Sequence, residues 1–129
     1  MYTLPFEYED KTSYGLRAVT GVLNYDGKTL HIEYQTKDAI LGLVKGDVTD
    51  LRIPLAKIRE MQTKKKWFSK VLIFKVDSLR TLEGLPGVTL NTLEMKIKKD
   101  DFNIAQNLAS TINLQRSELR LNEMRDDNE

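Results

Sequence analysis

Few residues in this chain could carry chemistry. His31 is the single histidine of 129 residues and there is no cysteine, so a thiolate nucleophile, a disulfide and a cysteine-ligated metal are all excluded. A histidine metal site or a serine–histidine pair would have to rest on His31 alone. His31 alternates with Leu30 and Ile32, which places it on the polar face of a strand, where it reads as a solvent-facing structural histidine. The run Gly21 to Thr29 comes close to a phosphate-binding loop. Five residues, however, separate Gly21 from Gly27 where that motif has four, and the residues after Thr29 alternate as a strand instead of opening a helix. The carboxylate pairs Asp47/Asp50, Asp100/Asp101 and Asp126/Asp127 read as turn, helix start and tail. Glycosidase-type acid and base work needs two carboxylates opposed across a cleft. With no complete catalytic constellation, the expectation is a protein that is not an enzyme, with no catalytic residue, cofactor or metal.

The informative feature is a segregation of charge. Twenty lysines and arginines against nineteen carboxylates leave the whole chain at +1. Between Lys57 and Lys75, seven cations face Glu60 alone, a net +6, while the other thirteen cations and eighteen anions leave −5 elsewhere. At the tip of this basic arm stands Lys64-Lys65-Lys66-Trp67-Phe68-Ser69-Lys70, two large aromatics among four lysines, a composition suited to an interface. The candidate contact residues for a membrane or an acidic partner are therefore Lys64, Lys65, Lys66, Trp67, Phe68 and Lys70. Single-stranded nucleic acid is disfavoured by the small footprint and the acidic body. The plainer reading is that the lysines guard a sheet edge and that Trp67 or Phe68 folds back onto the core.

These residues need elements to hold them. From Gly15 to Ile97 the apolar pattern alternates or runs in short β-branched blocks broken by turn signals. The expected strands are Leu16 to Asn24, Thr29 to Gln35, Ile40 to Val44, Asp50 to Pro54, Ile58 to Lys64, Lys70 to Val76 and Thr89 to Ile97. Asp26-Gly27 supplies the positive φ of a tight hairpin. After Ile97 the period changes: Phe102, Ala105, Leu108, Ala109 and Ile112 share one helical stripe, and Asp100 or Asp101 is placed to cap it. The stripe weakens at Gln115 and Arg116, so fraying is expected beyond them. The amino terminus is acidic and carries Pro5, unlike a secretory signal, and no apolar run approaches the roughly 20 residues of a bilayer span. The expected location is cytoplasmic, or peripheral to a membrane.

The fold class that follows is mainly β: seven antiparallel strands forming a sandwich or partly open barrel, capped by one C-terminal α-helix. Residues 1–14 read as an N-terminal extension, 15–118 as the domain and 119–129 as a polar, frayed tail. This order resembles the pleckstrin-homology-like superfamily, in its bacterial PH-like and GRAM-like branch. The resemblance is carried by the Asp26-Gly27 hairpin followed by Thr29-Leu-His-Ile-Glu33, by Leu51-Arg-Ile-Pro-Leu-Ala-Lys-Ile58, by Leu85-Pro86-Gly87, and by Asp101-Phe-Asn-Ile-Ala-Gln-Asn-Leu108. It implies two roughly orthogonal antiparallel sheets with the helix plugging one corner, and a binding or assembly module without chemistry of its own. The first hairpin loop, Asn24 to Lys28, holds one lysine, so headgroup capture there is not expected. Two functions stay open: contact with a protein partner or a second copy through a sheet edge or the basic hairpin, and attachment to anionic membrane lipid through Lys64–Lys70.

Overall fold

A computed structural model describes residues 2–127. Seven strands run in chain order, β1 (Tyr2–Glu9), β2 (Arg17–Tyr25), β3 (Thr29–Asp38), β4 (Val44–Pro54), β5 (Ile58–Lys65), β6 (Lys70–Val76) and β7 (Thr92–Ile97), followed by helix α1 (Phe102–Asp127). They form one antiparallel sheet in the order β4-β3-β2-β1-β7-β6-β5, which does not close into a barrel. The block β4 to β1 meets the block β7 to β5 at a single described pairing, Glu7 with Lys96. Where the resemblance implied two sheets, the strands form one hydrogen-bonded ladder joined at this short seam.

The seven strands are not the seven expected. Residues 2–9, read as part of an extension, form β1 in the middle of the sheet, paired along its length with β2 from Tyr2–Tyr25 to Glu9–Ala18. Leu4, Phe6 and Tyr8 point inward and are buried, alternating with exposed Thr3, Pro5 and Glu9 and half-buried Glu7. The alternation was present in the sequence, but Pro5 reads against a central strand. The proline is tolerated because it lies beyond the Glu7–Lys96 pairing, where β1 has no described partner on its β7 side. The two short strands expected at Ile40 to Val44 and Asp50 to Pro54 are a turn and one long strand β4. Opposite β4 the register shifts between Tyr34 and Thr36, and Gly46 takes φ +81°, a bulge on the border of the sheet.

The inner face is one cluster, in which Leu4, Leu23, Ile32, Phe74 and Met95 from five strands meet Ala105, Leu108 and Ile112 of α1. Gly21 is required for that packing: a Cβ there would stand 2.0 Å from the Glu33 carbonyl oxygen. The first glycine of the phosphate-loop look-alike is thus a site of close strand approach, not of ligand binding. Tyr8 and Tyr34 donate to the carbonyls of Pro86 and Gly84, tying the β6–β7 loop to the rim of the core. Burial pushes the Tyr8 phenol above its ordinary range, so it stays protonated as a donor.

Helix α1 closes the sheet and also covers one of its borders. Asn113 Oδ1 accepts from the Met61 N–H at 2.9 Å, Asn113 Nδ2 donates to the Met61 carbonyl at 2.6 Å, and Arg116 Nε donates to the Ile58 carbonyl at 2.8 Å. Three backbone groups on the free edge of β5 are thereby satisfied by side chains. The expected N-cap is revised: Asp100 and Asp101 lie inside a 3₁₀ turn, Lys99–Asp101, that leads into α1, where their charge still suits the helix dipole. The expected fraying does not occur before Asp127. Gln115 and Arg116, which interrupt the apolar stripe, bond to the Tyr25 hydroxyl and to β5, and Glu, Leu, Arg and Met beyond them are good helix formers. Asn128 and Glu129 of the expected tail lie outside the described residues. No helix among those described is long and apolar enough to cross a membrane.

Removing the β5 clamp with Asn113→Ala is expected to cost about 1 to 3 kcal/mol in urea unfolding, because two backbone groups lose their partner together. A loss under about 0.5 kcal/mol, the range of an ordinary surface change, would mean that water replaces both bonds. A second expectation concerns pH. Backbone N–H donors hold the carboxyls of Asp26 and Asp38 below the ordinary value of 3.8, and the Thr81 hydroxyl does the same for Asp77. A depressed folded value stabilises the fold above the unfolded value, and this contribution is lost as pH falls from about 4 through the lower folded values. Urea midpoints should therefore be flat above that window and drop below it, and Asp26→Asn should flatten part of the drop.

Candidate functional site

The basic hairpin is an ordered β-turn arm, closed by Lys66 N–H donating to the Ser69 carbonyl at 2.7 Å. The pairing of β5 with β6 sets Lys65 opposite Lys70, a like-charge pair that by itself repels. The repulsion is offset by Phe102 of α1, whose ring lies 5.7 Å from the Lys65 ammonium and 5.0 Å from that of Lys70. Lys66 is held at 2.7 Å from a Glu94 carboxylate oxygen on β7, which draws the tip over the outer face of the sheet.

Trp67 and Phe68 do not fold back onto the core. They pack against each other edge to face, with centroids 5.9 Å apart, and their exposures are 88% and 93%. Two large aromatic rings bent to each other and otherwise in water are costly unless something covers them.

Beside the tip lies a groove of about 750 Å³ on the outer face of the sheet. It opens where β1 and β7 part company, with Pro5 on one wall and Ile97 on the other. Lys66, Trp67, Phe68 and Lys70 of the expected set line it, whereas Lys64 and Lys65 do not. Sequence reading missed the other half of its charge. Lys96 and Lys98 point outward because Met95 and Ile97, which alternate with them, point inward and are buried, and Lys99 and Lys37 complete the basic part of the lining. Six lysines therefore meet Glu7 as the groove's one carboxylate, and Glu7 is already engaged with Lys37 at 2.9 Å. A concave surface of one sign raises the local concentration of counter-charged ligands. The run Met95-Lys-Ile-Lys-Lys99 was legible as basic, but only the topology sets β7 beside β6.

The other candidates for chemistry are accounted for locally. His31 Nε2 sits 3.3 Å from Asp26 Oδ2, and the same carboxylate accepts from the Lys28 and Thr29 N–H groups at 2.8 Å, which shapes the β2–β3 turn. Among the described residues no group of three or more histidine or carboxylate side chains is arranged to hold a metal ion. The groove can accept anions and apolar groups together.

Trp67 is the only tryptophan, so its fluorescence reports the tip directly. Iodide should quench it strongly and caesium weakly, since the surrounding lysines attract one ion and repel the other; equal quenching by both would contradict the charge environment described. No protein family, curated protein or solved structure matches this chain.

Proposed function

We propose that the chain is a non-enzymatic, pleckstrin-homology-like interaction module that docks on an anionic membrane surface through the Lys64–Lys70 hairpin and the groove beside it. The strand order, with a helix covering one end of an open antiparallel sheet, supports the family assignment. The observation that carries the functional reading is the near-complete exposure of Trp67 and Phe68 at the head of a lysine-lined groove. Lysines that only guard an edge have no use for two aromatic rings in water. On an anionic bilayer each nearby lysine contributes about 1 kcal/mol, and aromatic rings settle at headgroup depth, where one part of the ring meets hydrocarbon and another meets water. The attraction is long-ranged and screened by salt, and the aromatic contact is short-ranged and is not.

A second reading, contact with a protein partner or a second copy, is favoured by a different observation. The two borders of the sheet are treated unequally. Asn113 and Arg116 cover the edge of β5, while β4 ends the sheet and pairs on its outer side with no strand among the described residues. Its bulge at Gly46 shortens the run available for pairing between copies.

Sedimentation with vesicles separates the two. Vesicles containing phosphatidylserine should carry the protein down at low salt and release it at high salt, and phosphatidylcholine alone should not bind. Lys64→Glu/Lys65→Glu/Lys66→Glu should abolish binding. Trp67→Ala/Phe68→Ala should weaken it about tenfold while leaving its salt dependence intact, as expected for loss of an interfacial aromatic contact. Absence of binding to the anionic vesicles at low salt sinks the membrane reading. Light scattering tests the other: a dimer that appears with concentration and is lost in Val48→Lys supports self-contact through β4.

A further inference from the structure

The turn between β3 and β4 is built to hold apolar side chains outward. Its residues Ala39-Ile40-Leu41-Gly42-Leu43 enter Val44 at the start of β4, and Ile40, Leu41, Leu43 and Val44 are 74%, 69%, 59% and 53% exposed. Part of the backbone of the same turn is satisfied by Asp38 and Leu16. Asp38 Oδ1 accepts from the Ile40 and Leu41 N–H groups at 2.8 and 2.9 Å, the Gly42 N–H donates to the Asp38 carbonyl at 2.8 Å, and the Ala39 N–H donates to Leu16 at 3.0 Å. Gly42 takes φ +72° to close the turn. Four N–H groups of the loop thus have partners, three of them on Asp38 and one on Leu16, which lowers the cost of moving its aliphatic side chains into hydrocarbon, where an unpaired backbone group has no water to bond.

The turn is continuous with the site already described. Val44 pairs with Lys37 across β3 and β4, and such cross-strand partners project on the same face. Lys37 lines the groove whose other end is formed by Trp67 and Phe68. Three interstrand spacings, roughly 14 Å, separate β1 at the groove from β4. One surface therefore reads, from end to end, aromatic tip, lysine groove, aliphatic turn. Lysines between two apolar tips match an anionic bilayer, whose phosphates lie above its acyl chains.

We infer that the Ile40–Leu43 turn is a second membrane-inserting element, acting with the Trp67–Phe68 tip so that the lysine groove is held against the lipid phosphates. This rests on the membrane reading above and extends it to a residue set outside the hairpin. Two attachment points fix the orientation of the domain on the surface, which one tip cannot do.

The test moves the fluorophore. Wild type carries its indole at the hairpin, and Leu41→Trp/Trp67→Phe carries it in the turn. Both are titrated with phosphatidylserine–phosphatidylcholine vesicles brominated on their acyl chains. Blue-shifted, bromine-quenched emission from both proteins is the expected result, as is a roughly tenfold loss of partitioning in Leu41→Asp/Leu43→Asp with its salt dependence unchanged. Quenching in wild type, combined with unmoved emission from a Leu41→Trp/Trp67→Phe protein that still sediments, overturns the inference and leaves the hairpin reading standing. If neither protein binds, both readings fall. A blue shift of Leu41→Trp/Trp67→Phe that grows with protein concentration in the absence of lipid overturns the inference in favour of a second copy on this turn.

Discussion

An open antiparallel sheet has two borders and one uncovered apolar face, and the fold depends on how α1 disposes of both the face and one border. The stripe Ala105, Leu108, Ala109 and Ile112 is buried in the core cluster. Directly after Ile112, Asn113 and then Arg116 one turn on bond the backbone of β5. Hydrophobic burial and edge satisfaction are thus supplied by adjacent residues of one helix. This is why the polar positions that weaken the stripe do not end it. Phe102, at the start of the same helix, steadies the two lysines facing each other at the base of the hairpin, so the element that completes the core also holds the candidate site.

The groove is a consequence of the other constraint, the short pairing at the β1–β7 seam. Past Glu7–Lys96 the two blocks separate, and the outer face there becomes concave instead of flat. Period-two alternation then dictates the chemistry of the wall. Once Met95 and Ile97 are committed to the core, Lys96 and Lys98 have only the outer face available. Glu94, on that same face, binds Lys66 and brings the aromatic tip alongside. Charge, concavity and exposed aromatics come from three separate causes that coincide in one place.

Most of the strands were readable because each is a local pattern. Asp26-Gly27 between Asn24 and Thr29 marks a hairpin whatever surrounds it, and β5, β6 and the start of α1 fell within a residue or so of their expected bounds. β1 was misread because Pro5 and the carboxylates at Glu7 and Glu9 look wrong for a central strand. Pro5 is accommodated by the seam and Glu7 by Lys37 on β3, neither of which is a local property, and Glu9 is exposed. The apolar run at Ile40 to Val44 was read as a strand because a short apolar run in sequence does not say whether it pairs in a sheet or faces water in a turn. In the folded chain it is a turn with its aliphatic side chains outside. The hairpin half of the site was visible as a cluster of lysines and aromatics; the β7 half was not, since its lysines are ordinary until the sheet order sets them beside the tip.

By itself the sequence determined what depends on neighbours in the chain: a mainly β protein with a helix after Ile97, no cysteine chemistry, one histidine on a polar strand face, and a basic arm on an acidic body. Tertiary structure alone decided that residues 2–9 stand at the centre of the sheet, that the borders at β4 and β5 are left open and covered respectively, and that lysines from β3, β6 and β7 share a groove with Trp67 and Phe68. The reason is physical. Alternation, turn chemistry and helix periodicity are written in runs of a few residues, whereas pairing partners, seams and the sign of a surface come from chain segments far apart in sequence, brought together by burial of a common core.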